Sequence, residues 1–318
     1  MLGPTPSRRE FLAAVGLAVL GAACTRGGSP DRNSALPGSI DALTSGGPTL
    51  SILGTGGDAA PMSPGKNRFG FVLVTLQNSV LTAGVPQVWA AKDSNDKPLG
   101  PWPATWHPFT AYEKTHDRSP TSPLPGDFAA EIDLPEEANW TVAVIVQRDS
   151  KRLVGTGILP VGSEPVLAGL GTKAISTTTP IATTTSGLEG ICTRTPVDRM
   201  HYISLDTALK SGKPTVVCFS TPLLCESRLC GPVTDEQTLV FEKYGPDRAN
   251  FIHVEEFLPG PDHTPPPATL ESRSPAFKAW KLETEPWVFV IDREGVVRFR
   301  SLGPVTAPEI EAALQPLV

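Results

Sequence analysis

Charge is scarce in this chain. Asp, Glu, Lys and Arg together make up 19% of its 318 residues, and the formal net charge is -6. The scattered lysines and arginines form no basic stripe that could follow a phosphate backbone, which removes nucleic acid from the expected partners. Only three methionines are present, too few for a methionine-rich site for a soft metal. The longest apolar run, from Phe11 to Ala23, falls short of the ~20 residues that a permanent membrane-spanning helix requires. What the chain does have is a globular apolar share of 40%, and 34 prolines, about twice the usual usage. Folded domains with proline-rich joints are expected.

The opening stretch, "SRREFLAAVGLAVLGAAC", sets Arg8 and Arg9 before the apolar run and ends in small residues ahead of Cys24. This is the pattern of an export signal. It resembles a twin-arginine signal followed by a bacterial lipobox, with Gly21 where leucine is more usual. The resemblance implies that residues 1-24 are removed or lipidated, that Cys24 carries the lipid, and that the mature protein is anchored outside the cytoplasmic membrane in an oxidising compartment.

Composition then divides the chain. Residues 25-47 are rich in Gly, Ser and Pro and suit a flexible tether. Residues 48-163 hold short apolar runs between turn residues, among them "FGFVLVTL" and "WTVAVIVQ", which read as strands of an immunoglobulin-like β-sandwich. A long loop in this stretch carries Trp102, Trp106, His107, Phe109, Tyr112 and His116, expected to cover one end of the sandwich. The Thr/Ser/Pro-rich residues 164-190, including "ISTTTPIATTTSG", read as a linker. From residue 191 to 318 helix and strand signals alternate: Ser204 as a helix cap, "PTVVCFS" as a buried strand, a helix through "ESRLCGPVTDEQTLVFEKYG", then "ANFIHVEE", "PWVFVID" and "GVVRFRS" as strands, and a last helix at Pro308.

Cysteines directly after the first strong strand, and a proline opening the next-to-last one, resemble the thioredoxin-like superfamily. The expected fold class is therefore multidomain: an all-β sandwich followed by an α/β thioredoxin-like domain. The resemblance implies thiol-disulfide exchange with exported protein thiols or disulfides as partners, with Cys225 as attacker and Cys230 as resolver. It also makes Pro286 a cis-proline which, with Glu285, lines a substrate groove. No metal and no cofactor are expected. The spacing departs from the family's. On one regular helix Cys225 and Cys230 would have Cα atoms about 8.7 Å apart, beyond the roughly 7 Å that a disulfide allows. Either Cys225 precedes the first turn, or that turn unwinds.

Other readings stay open. The pair could form a permanent structural disulfide, or the domain could be a redox-silent binding module. Four intervening residues are also similar to one class of peroxiredoxins, although Pro222 stands where those proteins place a threonine and no activating arginine aligns among Arg293, Arg298 and Arg300. A metal carrier built on Cys225, Cys230 and His253 resembles copper-delivery proteins, but with the wrong cysteine spacing. Cys218, mid-strand, is expected as a buried thiol. Cys192 has no assigned partner.

Overall fold

A computed structural model describes residues 38-54, 62-111, 124-148, 150-162, 168-225, 229-260, 264 and 268-318. Cys24, Tyr112 and His116 lie outside these residues. Residues Pro37–Val318 form one compact unit.

Its first part begins with a short helix, α1 (Ile40–Leu43), and continues as β1 (Leu50–Leu53), β2 (Gly65–Thr75), β3 (Gln87–Ala91), β4 (Leu99–Pro103), β5 (Thr105–Pro108), β6 (Gly126–Leu134), β7 (Ala138–Arg148) and β8 (Lys151–Val161). These eight strands make a single sheet in the order β4-β3-β7-β8-β1-β2-β6-β5. The two edges, β4 and β5, are separated in sequence by Ala104 alone, so the sheet curls almost into a barrel. Successive side chains along each strand face opposite sides, one set into the curl and the other outward. On β2, Phe69, Phe71 and Leu73 fill the interior beside Val142, Val144 and Val146 of β7. Ala143 and Ile145 face outward, where Ile40 and Leu43 of α1 cover them. Part of the expected tether is thus folded onto the sheet.

The second part contains α2 (Thr185–Glu189), α3 (Leu205–Ala208), β9 (Thr215–Phe219), α4 (Cys230–Arg248), β10 (Asn250–Val254), α5 (Pro275–Ala279), β11 (Trp287–Ile291), β12 (Val297–Leu302) and α6 (Ala307–Leu314). A four-stranded sheet runs β10-β9-β11-β12. β9 and β10 are parallel, and the other pairs are antiparallel. Apolar clusters cover both faces. Val217, Phe219, Phe289 and Trp280 pack on one side, and Val216, Val288, Phe251 and Ile310 on the other. The Thr-rich stretch packs here too: Ala168 belongs to the first of these clusters, and Thr179 is buried.

The expected fold class does not hold. Strand accounts for 34% of the chain and helix for 20%, and the large element is one near-barrel sheet rather than two stacked layers. Nor does the second part form a clear α/β thioredoxin-like arrangement. The alternating signals are real, but α2, α3 and α5 run to only four or five residues each, and among the described residues the return from β10 to β11 holds no helix longer than α5.

A seam joins the two sheets. Val72, on the outer face of β2, packs with Phe109, Leu124 and Leu229, the residue just before α4. Beside this patch Arg68 donates to Glu309 Oε1 at 2.7 and 2.9 Å, to Asp127 Oδ2 at 3.1 Å, to Ser301 Oγ at 2.9 Å and to the Pro304 carbonyl at 2.9 Å. Gly70 makes this approach possible, since a Cβ there would collide with the Arg68 guanidinium and lie 2.9 Å from the Pro304 oxygen. On α4, Glu236 is fully buried. It accepts from the backbone nitrogens of Ala111 and Ala307, each at 2.6 Å. One carboxylate therefore fastens the first sheet, the cysteine-bearing helix and the start of α6 together.

Candidate functional site

β9 leads straight into the cysteine pair. All five of its residues are buried, and hydrogen bonds fix the turn that follows. Ser220 N donates to the Val254 carbonyl at 2.9 Å, and Leu224 N to the Thr221 carbonyl at 3.0 Å. Thr221 Oγ1 accepts from Glu256 N at 2.8 Å. Cys225 then stands, half-buried, ahead of α4, whose first residue is the fully buried Cys230. The two are joined by a disulfide with Cα atoms 5.9 Å apart. This is the first of the two geometries that the spacing allows: Cys225 precedes the first turn.

Cys230 N donates to Cys225 Sγ at 3.2 Å. The Cys225 sulfur therefore sits against a backbone N–H at the start of a long helix, where the unpaired donors and the helix dipole favour an anion. Once the bond is reduced, Cys225 is the sulfur placed to ionise. Leu229, wedged into the seam, fixes where the helix begins.

Glu285 and Pro286 lie across from the pair. Their peptide bond is cis, as expected from the sequence. Pro286 is buried and its carbonyl accepts from Gly303 N at 2.9 Å, so that carbonyl is already used within the fold. Glu285 sits closer to the chemistry than a groove residue would. One carboxylate oxygen of Glu285 and the two sulfurs lie within 4.8 Å of one another. Burial, with the neighbouring Glu256 and Glu255 carboxylates, holds the Glu285 carboxyl well above its ordinary pKa. Its Oε2 is buried with no hydrogen-bond partner.

His253 does not join the cysteine pair. It belongs to a second cluster in which Cys192, Asp198, His201 and His253, all buried, bring one donor atom each to within 4.8 Å of the others. Cys192 Sγ lies 3.3 Å from Asp198 Oδ2 and 3.8 Å from His253 Nδ1. His253 Nδ1 lies 2.8 Å from Asp198 Oδ2. Nε2 of His253 is 3.0 Å from the Ser220 carbonyl and 3.0 Å from Ser220 Oγ. Asp198 Oδ1 accepts from Met200 N at 2.9 Å. Burial lowers the His201 pKa to about 4. The adjacent Glu255 accepts from Thr193 N and Thr193 Oγ1 at 2.6 and 2.8 Å.

Sequence reasoning missed this cluster. It treated His253 as a strand residue and Cys192 as unassigned; the available signal was "CTRTPVDRMH", which sets a thiol, a carboxylate and an imidazole within ten residues. Cys218 is an unpaired buried thiol, as its place mid-strand implies. Burial pushes its pKa up to about 11, so it is a poor nucleophile at neutral pH. No family model matches this chain, and no curated protein matches it in sequence.

Proposed function

We propose that this protein carries out thiol-disulfide exchange with exported proteins through Cys225 and Cys230, while a lipid on Cys24 holds it at the outer face of the cytoplasmic membrane. The observation that carries the exchange reading is the asymmetry of the pair: a half-buried sulfur at the helix start, bonded to a fully buried one. In the reducing direction, the Cys225 thiolate attacks one sulfur of a partner disulfide, forming a mixed disulfide and releasing the partner's other sulfur as thiolate. Cys230 then attacks Cys225, the second partner sulfur leaves, and the pair is oxidised as the partner gains two electrons. The reverse sequence oxidises a dithiol. Glu285, whose burial beside Glu256 and Glu255 favours the protonated form, is placed to supply a proton to the departing sulfur or recover one from Cys230.

Alkylation of the reduced protein at mildly acidic pH, followed by peptide mapping, tests the assignment. Cys225 is expected to be labelled first and Cys230 to stay protected. Labelling of Cys230 first, or of neither, would sink the exchange reading and favour a redox-silent binding role. The anchor has its own test. No described helix is long and apolar enough to cross a membrane, so Cys24→Ser is expected to move the mature protein from the membrane fraction to the soluble one. If the variant stays with the membrane, lipidation is not what holds the protein there.

A further inference from the structure

The buried cluster around His253 has a composition that a hydrogen-bond network alone does not require. We propose that Cys192, Asp198, His201 and His253 form a closed, four-coordinate site for a zinc ion.

The donor set comes first. One thiolate, one carboxylate and two imidazoles are ligand types that zinc accepts together, and four protein ligands leave no open position, which is the form of a structural site. Charge agrees with chemistry. A dipositive ion bound by one thiolate and one carboxylate gives a neutral assembly, as burial in a low-dielectric interior demands.

Geometry follows. Zinc–sulfur and zinc–nitrogen bonds of about 2.3 and 2.0–2.1 Å put tetrahedral ligand atoms roughly 3.3–3.6 Å apart. The separations here are 3.3 Å for Cys192 Sγ to Asp198 Oδ2 and 3.8 Å for Cys192 Sγ to His253 Nδ1, and the His201 donor lies within 4.8 Å of the other three. The Asp198–His253 pair, at 2.8 Å, is closer than a shared metal allows. A proton bridges that pair, and the metal would take its place.

Two further observations point to a ligand. His201 Nε2 is buried and has no hydrogen-bond partner, although its side chain is only 3% exposed. An imidazole nitrogen turned into a cluster of donors with nothing to bond is a cost without a purpose unless an acceptor of its lone pair fits there. The surrounding shell is also in place. A metal-binding histidine ordinarily gives its second N–H to a backbone carbonyl or carboxylate; His253 Nε2 lies 3.0 Å from the Ser220 carbonyl and 3.5 Å from Glu255 Oε1, leaving Nδ1 for the ion. Asp198 Oδ1 is held by Met200 N.

The site would also reach the cysteine helix. His253 Nε2 contacts Ser220 Oγ at 3.0 Å, Ser220 Oγ lies 2.6 Å from Thr234 Oγ1, and Thr234 Oγ1 donates to the Cys230 carbonyl at 2.8 Å.

Elemental analysis of the mature protein, prepared with the Cys225–Cys230 bond intact and dialysed against zinc, is expected to find one zinc per chain, retained on gel filtration. Replacement by cobalt(II) should give the intense visible bands of a tetrahedral ion and a thiolate-to-cobalt band that Cys192→Ser removes. His201→Asn should lose the metal while keeping a cooperative thermal transition, since that nitrogen has no hydrogen bond to give up. The Cys225→Ser/Cys230→Ser double variant should keep its zinc. The proposal is overturned if wild-type protein binds no zinc, if its cobalt spectrum is that of a six-coordinate ion without sulfur, or if the double variant rather than the cluster variants loses the metal. The cobalt spectrum of the wild-type protein decides the matter even where a variant fails to fold.

Discussion

Replacing Cys225 by serine is expected to abolish disulfide exchange completely, and replacing Cys230 by serine to trap the partner. The two outcomes differ because the sulfurs are placed differently. Cys225 is the one that accepts a backbone N–H at the helix start and has a path to solvent, so without it no mixed disulfide forms. Cys230 is fully buried and meets the reaction only after Cys225 has bonded to a partner. Cys230→Ser should therefore accumulate a covalent complex through Cys225, visible on a non-reducing gel and absent from the double variant. Glu285→Gln keeps both sulfurs and removes only a titratable proton, so turnover should fall by on the order of 10²-fold, the lower end of what a positioned proton donor contributes, with a flattened pH profile. If Cys225→Ser exchanges disulfides as fast as wild type, the pair is structural.

Arg68→Ala is expected to cost about 3–5 kcal/mol of folding stability, the range found when one member of a buried ion pair is removed and the other is left uncompensated. Two carboxyl groups lose their cation here, and one of them, Asp127, has no solvent exposure. Chemical denaturation read by tryptophan fluorescence checks the value; a loss below 1 kcal/mol would mean that the seam contributes little. The pH dependence carries a second signature. One guanidinium serves both Asp127 and Glu309. Burial pushes the Asp127 pKa up to about 7, while Arg68 is among the influences that hold Glu309 below its ordinary value. A carboxyl whose folded pKa lies above its unfolded one binds its proton more tightly when folded, so stability falls as pH rises from about 4 towards about 7. Asp127→Asn removes that slope. Its stability relative to wild type should rise across the same window, by on the order of 1–3 kcal/mol.

Much of the strand content was legible in the sequence, for a specific reason. β2, β7, β9 and β11 bury nearly every residue of their central runs, and such apolar runs show without knowledge of partners. β4 and β5 were hidden because Pro101, Pro103 and Pro108 argue against strands; both lie at sheet edges, the one place where proline is tolerated. The sandwich expectation failed because alternation reports which face is buried, not whether the covering layer is a second sheet or the same sheet curling back. The thioredoxin-like expectation failed at the helices, whose length is set by packing rather than by a cap residue such as Ser204. At the site, the cysteine pair could be located by spacing alone. The second cluster could not, since 61 residues separate Cys192 from His253 and they meet because the chain just after Cys192 lies against β10, where His253 N donates to the Met200 carbonyl at 2.9 Å.

The order of synthesis gives a meaning to the two carboxylates on Arg68. Asp127 follows Arg68 by 59 residues, and Glu309 by 241. At roughly 5–20 residues per second, the second partner is made about 10–50 s after the arginine. Through that interval Asp127, which enters on the strand paired with β2, is the anion at hand, so the guanidinium is not left unbalanced while the first sheet closes. When α6 arrives with Glu309, the newcomer takes the shorter contact, 2.7 Å against 3.1 Å for Asp127, and burial leaves Asp127 with its raised pKa. The carboxyl that is costly in the finished molecule is thus the one that serves while the chain is still being made.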